Sequence, residues 1–443
     1  MEIGRSNGMR GLAWLWTGCA MLAFSAGAVW AAEETAVDSG GAVPAGLSYS
    51  VEATSSYHYV NNAYFGSVKS NTWGEGFTRA RVNYGAPDGV WLSAGGVIMG
   101  TAGTDYFGVN DASDGRLDQL LVGLSSIGGT GLSLVAGRQD LQVGDGFLIG
   151  DGYYDSKAAL WNIPLNFYDA LRADWQQGEW HALAFGARLS PSYGDRAEGP
   201  GNIQGGGEIG WSGSETRSLA FGYFQRVDYG DAQLSARAFS LRGAWDRGPF
   251  SLAGEGVVES GHNGDADLRG IGGHLGATYK FALRAEPYAQ LEYFFFSGDD
   301  PNTPSIDEGF YPWNYRWTDW SRYYVADLMA NTYVFNNDSR IWKLECGVTP
   351  IENTSLRLLL HRIDLDTGTS QWESGLPEGV GRAFADEADL VVDQSVGEHW
   401  SAWVQGSYVR PLDAAKALAG EAASGQLFVG LTFKFEGPGG SGD

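Results

Sequence analysis

AGRQDLQVGDGFLIGDGYYD, residues 136–155, joins the end of a strand to a long polar excursion. The residues leading into it alternate small and apolar, and Arg138 and Gln139 stand side by side where the pattern stops. A charge in such a segment needs water or a carboxylate beside it, because an unpaired guanidinium in an apolar layer is prohibitively costly. The stretch therefore predicts a strand of a membrane barrel, with Arg138 facing the lumen and the Gly- and Asp-rich continuation folding over the pore.

Working outward, the chain from Leu47 onward breaks into segments of period-two alternation, the pattern of a strand with one lipid and one aqueous face. Arg79, Arg81 and Asn83 oppose Ala80, Val82 and Tyr84, and Arg172 and Asp174 oppose Leu171, Ala173 and Trp175. Lys343, Glu345 and Gly347 oppose Trp342, Leu344 and Cys346, while Arg357 and His361 oppose Leu356, Leu358 and Leu360. The last strand sets Leu427, Val429, Leu431, Phe433 and Phe435 against Gln426, Gly430, Thr432 and Lys434.

The connections alternate as well. Short turns fall at Pro87-Asp88-Gly89, Gly128 to Gly131, Gln177-Gly178, Gly213-Ser214, Arg247-Gly248-Pro249, Leu283-Arg284, Asn353-Thr354 and Gly397-Glu398. Most carry residues that take turn dihedrals at little cost. Longer polar segments lie between them, near 61–73, 103–114, 141–168, 190–204, 228–233, 260–267, 298–339, 365–384 and 410–424. Together they imply an all-β, antiparallel transmembrane barrel of about 18 strands, with short periplasmic turns, long outer loops and both termini on the short-turn side. A soluble sandwich accounts for any one segment but not for the whole set, which would leave far too much apolar surface in water.

The first residues look like a targeting segment. Arg5 and Arg10 precede the apolar run Leu12 to Phe24, and Val29 and Ala31 occupy the positions a signal peptidase reads. The expected organisation is a signal peptide at 1–31, a short periplasmic segment at 32–46, the barrel at 47–436 and a tail at 437–443. Removing Arg5, Arg10 and Glu2 takes a net +1 from the formal charge of −24, leaving −25. So acidic a chain argues against nucleic acid as a partner. Only Cys346 then remains, which excludes an intrachain disulfide. No later stretch is apolar for the roughly 18 residues a membrane helix needs. With 66 Gly, 13% aromatic and 19% charged residues, the composition also suits an outer-membrane barrel. Gly430, Phe433 and Phe435 fit the aromatic terminal strand that barrel assembly machinery recognises, with outer-membrane lipid as the surrounding partner.

GRQ at 137–139, the pair Gly144-Asp145 and the run Leu148-Ile149-Gly150 resemble the alginate-export family of outer-membrane porins. A second patch agrees: Asp386, Glu387, Ala388, Asp389 and Leu390 open a strand, and after the turn at Gly397-Glu398-His399 another strand ends in Tyr408 before Pro411. The resemblance implies an 18-stranded barrel in a Gram-negative outer membrane, a lumen lined with arginines that passes an anionic polysaccharide, and loops that gate its ends. Carried over by position, Arg138 matches the family's motif arginine, and Glu387 and Asp389 its acidic strand.

Alternation assigns Arg79, Arg81, Arg138, Arg172, Arg188, Arg242, Lys343 and Arg357 to the lumen as cations. It assigns Asp118, Asp174, Glu208, Glu255, Glu292, Glu345, Glu387, Asp389 and Asp393 as anions. A duct dedicated to a long polyanion should carry excess positive potential. Near balance instead implies a polar constriction with a transverse field, or simply paired charges bracing the wall. Trp313, Trp317 and Trp320 in the long aromatic loop offer faces for sugars, or else a girdle or packed plug. No cofactor is implied. Asp145, Asp151 and Asp155, or Asp105, Asp111 and Asp114, offer oxygens to a loop-bound calcium, although neither set has EF-hand spacing and solvated outer loops are often acidic.

Two function classes follow. The first is a passive outer-membrane channel for anionic or polar solutes or oligo- and polysaccharide. The second is a structural sheath that encloses or docks a partner such as an electron-transfer cytochrome, which would be another chain because no C-x-x-C-H haem site occurs. Catalysis finds no motif: the histidines are scattered, and Glu387 and Asp389 more naturally meet arginines than form an acid/base pair.

Overall fold

The structure, a computed structural model, describes residues 46–66, 70–86, 89–104, 108, 110–150, 168–189, 202–214, 217–228, 234–313, 337–368 and 376–437. The expected signal peptide lies outside the described residues. The strands begin with Gly46–Asn61 (β1), Asn71–Gly85 (β2), Val90–Gly103 (β3), Ser113–Leu124 (β4), Leu132–Gln139 (β5) and Tyr168–Gln177 (β6). Next come Trp180–Leu189 (β7), Asn202–Ser214 (β8), Arg217–Asp228 (β9), Leu234–Arg247 (β10), Phe250–Asn263 (β11) and Ala266–Leu268 (β12). Ile271–Lys280 (β13), Tyr288–Phe296 (β14), Ile306–Asp307 (β15) and Ser339–Ile351 (β16) follow. Thr354–Leu365 (β17), Ala383–Val396 (β18), Trp400–Pro411 (β19) and Ser424–Gly437 (β20) complete the set.

β12 and β15 are short and pair with each other in parallel inside the outer loops. Setting those two aside from the twenty leaves 18 strands in the wall, each antiparallel to its neighbours. The cylinder closes where β1 pairs with β20, from Tyr49 opposite Gly437 to Asn61 opposite Gly425. Closure leaves no open edge strand among the described residues, which is what a lipid layer demands of a sheet. The eight expected short turns all join strands at one end, and the nine expected long segments all join them at the other. At Gly178 (φ 60°) the two-residue turn needs a left-handed backbone, and Asn353 (φ 62°) takes the same conformation between β16 and β17.

The alternation has the expected physical result. Ile98, Leu171 and Leu275 point outward and are more than 60% exposed, whereas Arg172, Lys343 and Glu292 on the opposite faces of their strands are buried. Large apolar side chains on the outer face and polar ones inside are the reverse of a soluble protein and suit lipid as the outer solvent. One irregularity matters inside. A bulge between Gly95 and Gly96 lets Asp118 and Gln119, adjacent in β4, both turn inward and become buried. The last outer loop, within the longer polar segment near 410–424, holds a short helix at Asp413–Leu418. Ala414 and Ala415 are good helix formers there and are buried against the interior.

Candidate functional site

The bore is crossed by the loop that follows β5. Asp140 at its start pairs with Arg81 of β2 at 3.0 Å. The chain then turns tightly, the amide of Gly146 donating to Val143 and that of Val143 to Ile149. Leu141, Val143, Phe147, Leu148 and Ile149 are all buried. Each side chain of this size stabilises its position by about 1.5–3 kcal/mol when removed from water, enough to hold the segment inside the barrel. Phe147 stacks on Phe296 of β14 and meets Phe310. Gly144 (φ 61°) passes so close to the wall that a Cβ there would sit 1.5 Å from Nη1 of Arg242. The left-handed backbone and the close approach both favour glycine here.

At the tip, Asp145 reaches His274 of β13, with Oδ2 3.0 Å from Nε2. Nδ1 of His274 lies 3.1 Å from Oε1 of Glu292, and Nζ of Lys343 lies 3.0 Å from Oε2 of the same carboxylate. Lys343 is also 3.8 Å from Glu345, which accepts a hydrogen bond from the Tyr288 hydroxyl at 2.5 Å. Beside this chain, Arg242 donates to Glu208 at 2.7 Å, and Ser240 donates to Glu255 at 2.5 Å. Burial would raise the Asp145 carboxyl, but the hydrogen bond and charge of His274, the Phe147 amide and Arg242 hold it below its ordinary value.

Further along the same wall, His361 lies 3.4 Å from Asp389, with Glu387 buried on the same face of β18. Arg357 donates to Asp393 at 2.7 Å. On the other side of the bore Arg79 and Arg81 both reach the bulged Asp118, at 2.8 and 3.1 Å. Arg172 folds onto Asp174 two residues along its own strand. The expected lumen set Arg79, Arg81, Arg172, Arg242, Lys343 and Arg357 thus lies on inner faces, as do Asp118, Asp174, Glu208, Glu255, Glu292, Glu345, Glu387, Asp389 and Asp393. Its cations are taken up by carboxylates, and on the β8–β18 wall the carboxylates outnumber the bases.

Two arginines lie elsewhere. In β5 the buried Ser133, Val135 and Gln139 mark the inner face, so Arg138 is on the outer one. It forms a forked pair with Asp169, its register partner on β6, at 2.9 and 3.1 Å. Arg188, between buried Ala187 and Leu189, is on the outer face of β7 opposite Asp169. The expectation that a charge in this strand must seek the lumen overlooked its height. All three residues are at the long-loop ends of their strands, where an outward charge meets headgroups and the penalty falls to about 0–1 kcal/mol. Arg362, Asp386 and Arg410 form a similar outer-face group near the same rim, with Arg362 donating to Asp386 at 3.1 Å and Arg410 bonded to the same carboxylate.

Trp313 is packed rather than offered to sugars. It is buried, its indole donates to Glu259 at 2.6 Å, and its carbonyl accepts from Arg226 at 2.5 Å. Trp317 and Trp320 lie outside the described residues. So do Asp105, Asp151 and Asp155 of the two suggested calcium sets. Of the rest, Asp111 accepts the Gly103 amide, Asp114 pairs with Arg116, and Asp145 turns to His274.

The residues missed by sequence reasoning are His274, Asp140, Glu259 and the inward role of Asp145. A signal for His274 did exist: it alternates with outward Leu275 and shares the inner face of β13 with Gly272 and Gly276. Nothing local marks Asp140 or Asp145, because their partners come from strands far away in the chain.

A family model described as alginate export matches residues 101–429, well over half of the chain. No curated relative matches in sequence. Among solved structures, OccAB4 of Acinetobacter baumannii superposes with a TM-score of 0.60 at 10% identity, covering 89% of this chain and 99% of that one. OccK5 (OpdH) of Pseudomonas aeruginosa gives a TM-score of 0.58 at 11% identity, covering 88% and 98%. The outer membrane protein OpdK of the same organism gives 0.58 at 11% identity, covering 88% and 99%. At such identities the likeness is one of fold.

Proposed function

The chain belongs to the alginate export family and is an outer-membrane channel of a Gram-negative cell, and we propose that it passes small polar solutes through a narrow constriction rather than a long polyuronate through a wide duct. The observation that carries this reading is the segment Asp140 to Gly150, tied to β2 at one end by Asp140–Arg81 and to β13 at its tip by Asp145–His274. Such a bar divides the bore, and polymer transit favours an open, uniformly positive path. Here the arginines on inner faces are matched by carboxylates, and the surplus on the β8–β18 wall is acidic. A transverse field of this kind orients neutral, zwitterionic or cationic solutes and opposes polyanions. The packing of Leu141, Phe147 and Ile149 into the interior also argues against a sheath, since the segment stands where an enclosed partner chain would have to pass.

Liposome swelling tests the reading. Vesicles carrying the purified protein should swell in small sugars and amino acids, with lysine entering faster than glutamate, and should exclude alginate oligomers. Rapid entry of alginate oligomers with exclusion of lysine would overturn it.

A further inference from the structure

We propose that Asp145, Glu255 and His274 form a binding site for a divalent cation of the zinc class, which pins the inward loop to the barrel wall. One ligand atom from each of the three lies within 4.8 Å of the others. Zinc bonds oxygen and imidazole nitrogen at about 2.0–2.1 Å, so two ligands on one ion stand roughly 3–3.4 Å apart. The 3.0 Å between Asp145 Oδ2 and His274 Nε2 already has that spacing. Glu255 completes the set by a swing of its carboxylate on the order of 1 Å. It is 6% exposed, and its Oε2 has no hydrogen-bond partner among the described residues, while Oε1 is held by Ser240.

The surroundings are those of a metal-bound histidine. Nδ1 of His274 faces Glu292, the carboxylate–histidine arrangement that fixes the tautomer and presents Nε2 to an ion. Glu292 is itself held by Lys343, and the imidazole ring is stacked on Phe294 and against Phe147. The charges also ask for a cation. Asp145, Glu208, Glu255 and Glu292 face Arg242, Lys343 and the His274 imidazole, so the carboxylates outnumber the bases by one. Glu345, near Lys343, adds to the excess. Of the two fixed cations, Arg242 is the one that reaches a proposed ligand and would be repelled by a dication. Its Nη1 is 3.9 Å from Glu255, but its Nη2 is already committed to Glu208 at 2.7 Å, so it can yield in that direction. The mixed nitrogen and carboxylate donor set suits zinc-class ions better than magnesium or calcium, which prefer oxygen alone.

The inference rests on the inward position of the loop and not on which solute passes. Its test is calorimetric titration of zinc chloride into the full chain in detergent, paired with single-channel recording of the same sample before and after zinc. The expected result is one saturable zinc per barrel and a fall in conductance reversed by chelator. His274→Gln and Glu255→Gln should each weaken binding roughly tenfold or more, and Glu292→Gln should weaken it about 10–100-fold without touching the ion. Heat-modifiable gel migration reports that each variant still forms a barrel. Absence of saturable binding, or equal affinity in both ligand variants, overturns the site. Binding with unchanged conductance overturns the pinning. Conductance in chelator speaks only to the channel, so failure of that reading is seen separately.

Discussion

Asp145, carried by the loop after β5, lies 3.0 Å from Nε2 of His274 on the far wall of the barrel. This pair converts a sequence excursion into a bar across the bore, because the Arg81–Asp140 pair holds the other end. Removing the tip contact while leaving the apolar anchors of the loop in place should loosen the constriction without harming the barrel. Asp145→Ala is expected to raise single-channel conductance and its open-state noise, with heat-modifiable gel migration unchanged. A quiet trace of wild-type size would show that the contact does not restrain the loop.

Lys343 is 1% exposed and shared between Glu292 and Glu345. Replacing it by methionine fills the same volume but leaves Glu292 inside with less compensation. Losing one partner of a buried pair is strongly destabilising, about 3–5 kcal/mol. Lys343→Met should therefore lower the urea midpoint of unfolding in lipid vesicles, and Lys343→Met with Glu292→Gln should recover part of the loss. Equal stability of the single variant and wild type would contradict the pairing.

Arg138 carries the opposite expectation. Its forked pair with Asp169 is on the outer face and partly solvated, and exposed pairs of this kind contribute about 0.2–1 kcal/mol. Arg138→Ala should leave ion selectivity unaltered, whereas Arg81→Ala, at the constriction, should shift it further towards cations. Reversal potentials under a salt gradient distinguish the two. A large selectivity change in Arg138→Ala would return that residue to the lumen.

Much of this was legible beforehand. Alternation correctly set Lys343 against Trp342 and Arg172 against Leu171, because a lipid face and a wet face impose a strict period of two. Turn chemistry placed most of the short connections, since Gly178 and Asn353 supply dihedrals that few other residues take. What failed was depth. Alternation gives the side of the sheet only if its phase is right, and at Arg138 the phase was chosen on the assumption that charge must avoid the outer face. That assumption holds at the membrane midplane and lapses at the rim. Long-range pairs such as Asp145–His274 and Trp313–Glu259 were beyond reach for another reason. They depend on how loops fold into the interior, and no local pattern records it.

The outer loop between β14 and β16 supplies a pH prediction. Partial burial, together with the acidic neighbours Asp307 and Glu308, pushes the Asp299 carboxyl up from 3.8 to about 6. A carboxyl raised in the folded state binds more protons there than in the unfolded chain between those two values. Its contribution to loop stability is therefore present at low pH and declines as pH rises from about 4 through 6. Hydrogen exchange at Ile306, whose amide donates to the Thr303 carbonyl in the same loop, should show greater protection at pH 4.5 than at pH 7 after correction for intrinsic rates. Greater protection at pH 7 would reverse the sign.

The most direct test of the constricted channel is single-channel conductance of the full chain beside a variant in which residues 142–147 are replaced by a short glycine–serine link. The variant keeps the wall intact and removes the bar. The account predicts a small, steady conductance for the native chain and a several-fold larger one for the variant, with the native cation preference weakened. Equal conductances in the two proteins would contradict it, because the narrowest point of the bore would then lie somewhere other than between Asp145 and the wall.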